Sequence, residues 1–132
     1  MVEWHTKSDK MKSGGKRNTV RRCTKKKAWM GGSAANTNTH AESKETRETQ
    51  KGLGKTVKVR LTSTKYANVS DGKKIVKAEI VAVKENNSNR LFARSNTTTK
   101  GAIISVKIGS EEKLARVTSR PGQAGIVNAK LV

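Results

Sequence analysis

Few residues in this 132-residue chain could act as nucleophiles, general bases or metal ligands. There is one cysteine, Cys23, and there are two histidines, His5 and His40. Cys23 stands among Arg21, Arg22, Lys25 and Lys26, whose charges would favour a thiolate. A cysteine nucleophile also needs a placed base, and none accompanies it in sequence. His5 and His40 have no second ligand at helical metal spacing. A single cysteine excludes both an internal disulfide and a cysteine-based zinc cage. Gly54-Lys55-Thr56 echoes the end of a phosphate-binding loop, but Thr49 stands where the first glycine is required, and a strand rather than a helix follows. Asp71, Glu79, Glu85, Glu111 and Glu112 read as turn, strand-surface and loop charges. The chain is therefore expected to be no enzyme, with no metal, no cofactor and no small-molecule substrate.

Lysine and arginine are the residue types in excess. There are 29 of them against 10 acids, a formal net charge of +19. Solubility of a small domain needs a net charge of only roughly 2–8. Self-repulsion at +19 opposes compaction, and a polyanion relieves it, which points to nucleic acid. Ten cations crowd the segment from Lys7 to Lys27: Lys7, Lys10, Lys12, Lys16, Arg17, Arg21, Arg22, Lys25, Lys26 and Lys27. Further along, Lys55, Lys58 and Arg60 mark the first predicted strand, and Arg94, Lys100, Arg116 and Arg120 fall at loops and strand ends. Contacts from such side chains go mostly to phosphates, which position a protein without reading sequence.

The elements that must carry these cations differ along the chain. In residues 1–55, apolar residues such as Val2, Trp4, Val20, Trp29 and Leu53 are scattered singly, with neither helical nor strand periodicity. That segment is expected to be an extended basic RNA-binding arm that orders on a partner. Ser13-Gly14-Gly15 interrupts its basic run, and residues 31–39 read as a neutral spacer loop. A short helical turn is possible within residues 41–50, where Glu and Lys or Arg alternate at helix-neighbour spacing.

Residues 56–132 change to a period of two. Val57, Val59 and Leu61 alternate with Lys58, Arg60 and Thr62, a half-buried strand with a basic outer face. Ser70-Asp71-Gly72-Lys73 signals a turn. A strand over 75–84 follows, with a phase slip between Ile75 and Ala78 that suggests a bulge or a bend. Leu91-Phe92-Ala93 fits a strand or a helical turn. Strands are expected over 102–108, 114–118 and 126–132, with a type II turn at Arg120-Pro121-Gly122-Gln123. About six short strands without a long amphipathic helix predict a mainly β fold, a small antiparallel six-stranded barrel-like domain behind the basic arm.

Aromatic residues are limited to Trp4, Trp29, Tyr66 and Phe92. Binders of unstructured single strands present several stacking platforms, so this chain better fits folded RNA recognised by shape. A chromosome-compacting DNA binder and an RNA-modifying enzyme are the competing readings. No basic amphipathic helix and no run of about 18 apolar residues supports a membrane role. The start of the chain lacks the apolar stretch of a secretion signal, and the lone cysteine fits a reducing, cytoplasmic setting.

One stretch is more specific than charge. Ala115-Arg116-Val117-Thr118-Ser119-Arg120-Pro121-Gly122-Gln123 continues through Gly125, Val127-Asn128-Ala129 and Leu131. Thr99-Lys100-Gly101-Ala102-Ile103-Ile104, Ala67-Asn68-Val69 with Asp71, Lys77-Ala78-Glu79-Ile80 and Glu85-Asn86 accompany it. In order and spacing these resemble the archaeal and eukaryotic small-ribosomal-subunit proteins of the 8e family, over roughly residues 55–132, and the short chain is similar to the archaeal form. Ser13-Gly14-Gly15-Lys16-Arg17 is similar to the family's early Gly-Gly-basic element, whereas Ala28-Trp29-Met30-Gly31-Gly32 replaces its usual Leu-Gly-Arg-x-Pro-like element. The resemblance implies a β-barrel body and attachment to small-subunit ribosomal RNA beside neighbouring ribosomal proteins. It also implies a structural role in subunit assembly and translation, in the cytoplasm.

Overall fold

The computed structural model describes residues 2–18, 22–23, 25–40, 44–72 and 74–132. The chain divides into two compact units, Met1–Ala34 and Ala35–Val132.

In the first unit, none of the described residues is fully buried. Strand β1 (Glu3–Trp4) pairs antiparallel with β2 (Met30–Gly31), just after a single 3-10 turn over Lys27–Trp29. His5 fastens this small sheet: its backbone N–H donates to Trp29 at 2.8 Å and its ring Nε2 lies 3.1 Å from the Gly32 carbonyl. A Cβ on Gly31 would stand 2.6 Å from that ring, so the close approach needs glycine. The Ser13-Gly14-Gly15 interruption closes a tight loop, with Met11 N–H donating to the Gly15 carbonyl at 2.8 Å.

The second unit is mainly β, as its alternation predicts. Strands β3 (Thr46–Lys51) and β4 (Val57–Ser63) form a two-stranded ribbon. Strands β5 (Tyr66–Ser70), β6 (Ile75–Glu85), β7 (Ile103–Ile108), β8 (Glu111–Val117) and β9 (Asn128–Leu131) close into a barrel. Six strands thus lie between residues 56 and 132; five make the barrel and β4 belongs to the ribbon. Neighbours in the barrel are antiparallel except at the closing seam, where β5 and β9 run parallel.

The interior is narrow, and residue size matches it. Ala115 lies opposite Ile104, and Ala129 lies opposite both Val69 and Val117, so small side chains face large ones. Leu61, Ile80, Ile104 and Val106 are among the most buried residues. Burying each is worth about 1.5–3 kcal/mol. The phase change along β6 has a definite location. Ile80 pairs with Val106 and Ala82 with Ser105, which leaves Val81 as an extra residue; a second shift falls between Val83 and Glu85. These bulges move the buried set from Ala78 and Ile80 to Val83. Of the bulge or bend expected between Ile75 and Ala78, the bulge is absent, because that stretch pairs with β5 in unbroken register.

Of the two states open to Leu91-Phe92-Ala93 the helical one forms, and two other expectations are corrected. Leu91-Phe92-Ala93 lies in a helical turn, α1 (Arg90–Arg94), started by Asn89, whose Oδ1 accepts from Leu91 N–H at 2.9 Å. The Pro121-Gly122 pair opens a second helical turn, α2 (Pro121–Ala124), instead of a type II turn. Its left-handed residue is Gly125, at φ 69°. The helical turn possible within residues 41–50 is not found over residues 46–50, which belong to β3; residues 41–43 lie outside the described residues. The end of the presumed spacer is equally structured. Asn38 bridges Ser63 and Thr97, and Thr37 and Thr39 are buried. Thr37 Oγ1 donates to the Leu61 carbonyl at 2.6 Å and Thr39 Oγ1 to the Asn96 carbonyl at 2.7 Å. This strap ties β4 to the segment preceding β7.

Candidate nucleic-acid interface

Cations presented on preformed backbone can meet phosphates at little ordering cost. In the first unit, a bridge sets Lys10 opposite Lys16. Arg17 is pinned beside them: its N–H donates to the Asp9 carbonyl at 2.7 Å and its Nε to the Lys10 carbonyl at 3.3 Å. Lys12 stands in the same tight loop. Like charges opposed across a bridge repel one another, and an anion between them removes that cost. Lys7, Arg22, Lys25, Lys26 and Lys27 are exposed as well. Lys26 Nζ lies 5.2 Å from the centre of the Trp29 ring, a cation–π contact. Arg21 lies outside the described residues.

The ribbon carries the second group. Gln50 pairs with Lys58 and Glu48 with Arg60, so both cations share a face with Glu48. Lys58 is exposed and Arg60 half-buried. Lys55 lies in the connecting turn, where Gly52 N–H donates to the Thr56 carbonyl at 2.7 Å. Gly54-Lys55-Thr56 is therefore a hairpin turn between two strands, with none of the strand-to-helix geometry a phosphate-binding loop requires.

On the barrel, Arg116 of β8 lies directly opposite Lys130 of β9. Both are exposed, and among the described residues neither has a carboxylate partner. Arg94 ends α1, where a cation suits the carbonyl end of the turn. Lys100 and Arg120 sit on the connections before β7 and before α2. The structure thus groups Lys10, Lys12, Lys16 and Arg17, and separately Lys55 and Lys58. It leaves Arg94, Lys100 and Arg120 on three different elements.

Sequence reasoning omitted Lys130, which only the β8–β9 register reveals as the partner of Arg116. It also omitted the seam pair Asn68 and Asn128, joined by a hydrogen bond from Asn68 Nδ2 to Asn128 Oδ1 at 3.2 Å. A signal was available: Ala67-Asn68-Val69 and Val127-Asn128-Ala129 repeat one apolar–Asn–apolar pattern. Tyr66 is exposed, with Lys77 Nζ 4.4 Å from its ring centre.

Cys23 is exposed, and its Sγ lies 3.4 Å from the Lys25 carbonyl. Among the described residues no three His, Cys, Asp or Glu side chains gather as metal ligands, and no described helix is long and apolar enough to cross a membrane.

Residues 4–132 match the family model for ribosomal protein S8e. A protein of Pyrobaculum aerophilum named small ribosomal subunit protein eS8 is 42% identical over 125 residues, covering 93% of this chain and 90% of that protein. The protein of the same name from Haloarcula marismortui is 46% identical over 102 residues, covering 70% and 80%. That of Methanococcus maripaludis is 39% identical over 134 aligned positions, covering 100% and 98%. A barrel framed by exposed cations, a family match over nearly the whole chain and such relatives agree: the chain belongs to the ribosomal protein S8e family.

Proposed function

We propose that this chain is a non-catalytic structural constituent of the cytoplasmic small ribosomal subunit. In this reading it binds folded small-subunit ribosomal RNA and supports subunit assembly and translation beside neighbouring ribosomal proteins. The basic segment of residues 1–55 and the basic surface of residues 56–132 both contact phosphates. The observation that carries the reading is the exposure of the candidate cations: of those described, all but Arg60 are exposed, on preformed loops, turns and strands. Charge is nearly even between the two portions, +9 from 14 basic and 5 acidic residues in 1–55, and +10 from 15 and 5 in 56–132. In this reading both portions contribute electrostatically to the anchor. Arginine adds paired hydrogen bonds to phosphate at Arg17 and Arg116.

The test is co-sedimentation of tagged chain with small subunits, together with filter binding to small-subunit ribosomal RNA across a salt series. Stable incorporation and an affinity falling steeply with salt are expected. Equal affinity for duplex DNA of the same length, or salt-insensitive binding, would overturn the reading.

A further inference from the structure

The outer face of the parallel β5–β9 seam carries a strip of side chains of which the phosphate-contact reading uses only Arg116. Side chains two positions apart on a strand share a face. Tyr66 with Lys77 over its ring therefore comes first, then the Asn68–Asn128 pair, then Ser70 beside Lys130, with Arg116 opposite Lys130. Two clefts run along this strip. The larger, about 460 Å³, is lined by Ser70, Ile75, Thr118 and Lys130 among others. The smaller, about 150 Å³, reaches Tyr66 and Lys77. Asn68 and Ile126 line both.

The chemistry of the strip is that of a nucleotide site. Asn68 spends one N–H on Asn128 Oδ1. Its own Oδ1 remains an acceptor, and the Asn128 amide remains a donor. A donor beside an acceptor complements the edge of an unpaired nucleobase. Ile75 is 76% exposed and Ile126 is 37% exposed, so both offer apolar surface to the faces of a flat ring at the same cleft. Arg116 and Lys130, one step along the seam, supply unpaired positive charge for the attached phosphate. A cleft that joins apolar walls, an amide edge and adjacent cations suits a base splayed out of folded RNA, the form in which RNA sequence is most often read. A protein partner would leave the Arg116–Lys130 repulsion unrelieved unless it brought its own carboxylate.

We propose that the β5–β9 seam is a nucleotide-binding site that takes one unstacked base of the bound RNA. Asn68 and Asn128 read its edge, Ile75 and Ile126 flank its ring, and Arg116 and Lys130 hold its phosphate. The inference rests on the RNA-binding reading above.

Two experiments on the full chain separate their failures. The first titrates adenosine, cytidine, guanosine and uridine monophosphates, and inorganic phosphate as control, while the side-chain amide resonances of Asn68 and Asn128 are followed by NMR. At least one nucleotide should shift both amides, and phosphate alone should not; identical responses to phosphate, or none to any nucleotide, overturn the site. The second compares wild type with the double variant N68A/N128A for affinity to small-subunit ribosomal RNA, with thermal unfolding as a check on folding. The variant should bind about 10-fold more weakly, since a good base contact is worth about that much, with an unchanged salt slope. A folded variant with wild-type affinity overturns the site alone and leaves the seam to a protein partner. A wild-type chain that does not bind this RNA overturns the RNA-binding reading itself.

Discussion

Arg47 Nε donates to the carbonyl oxygen of Gly125 at 3.1 Å, joining ribbon strand β3 to the left-handed turn after α2 across 78 residues of sequence. The same turn meets β4, where Val59 bridges Ala124. Gly125 combines φ 69° with a close approach, since a Cβ there would stand 2.6 Å from Val59 Cγ1. The variant G125A suffers both penalties. Left-handed backbone costs an alanine about 1–2 kcal/mol and overpacking about 1–3 kcal/mol. A loss of about 2–4 kcal/mol in urea unfolding is expected. A loss below about 1 kcal/mol would show that the ribbon yields freely at this point.

The strap predicts a contrast among threonines. T37V removes the donor of a buried hydrogen bond to the Leu61 carbonyl, and T39V that of a part-buried bond to the Asn96 carbonyl, which keeps the Thr39 N–H. Each should cost about 1–3 kcal/mol. T49V, on the exposed face of β3, should stay within about 0.5 kcal/mol. Equal effects from all three in chemical denaturation would contradict the strap.

Lys65 Nζ lies 2.8 Å from Glu79 Oε1. The hydrogen bond to that carboxylate, and then its charge, hold the Lys65 ammonium above the ordinary lysine range. A cation whose pKa is raised on folding contributes stability that is complete below its unfolded value and is lost as pH rises through the folded value. The melting temperature of E79Q should therefore lie below wild type at neutral and mildly alkaline pH. The gap should close once pH passes the lysine range. A gap that persists there would assign the effect to packing.

The tight loop of the first unit predicts a change in salt dependence. The triple variant K10A/K16A/R17A removes three exposed cations. If each meets one phosphate, the slope of log K against log salt should fall by about 2–3. The barrel's unfolding midpoint should not move. An unchanged slope would remove these residues from the interface.

Truncation separates two positions for the start of the folded body. A fragment of residues 35–132 keeps the strap, the ribbon and the barrel, and should unfold cooperatively. A fragment of residues 56–132 loses β3 and the partners of Thr64 and Leu61 in the strap. It should melt well below the longer fragment. Equal melting of the two would place the whole stabilising core within residues 56–132.

What the sequence made legible follows from how each residue becomes buried. Ile104 and Val106 are large and in phase, and so are Val59 and Leu61, so β7 and β4 could be read from hydropathy. Strand β5 could not: between Tyr66 and Ser70 it buries only Ala67 and Val69, around an exposed Asn68. Thr37 and Thr39 are buried through hydrogen bonds and carry no hydropathy signal at all. Pro121 fits the first position of a helical turn as well as a type II turn, and local sequence does not separate them. Among the functional residues, the cations were legible by type, but their grouping was not. Lys130 joins Arg116 and Asn68 joins Asn128 only through strand pairings of barrel closure.

That closure also sets when the body can exist. The seam joins Asn68 to Asn128, so its first strand must wait for its last. Without β9, strands β5 through β8 would have two bare edges, an arrangement prone to mispairing. Only after β9 emerges do Asn68 and Asn128 meet, and only then does Lys130 reach Arg116. A chain without β9 would carry most of the positive charge yet lack both the seam and the Arg116–Lys130 pair.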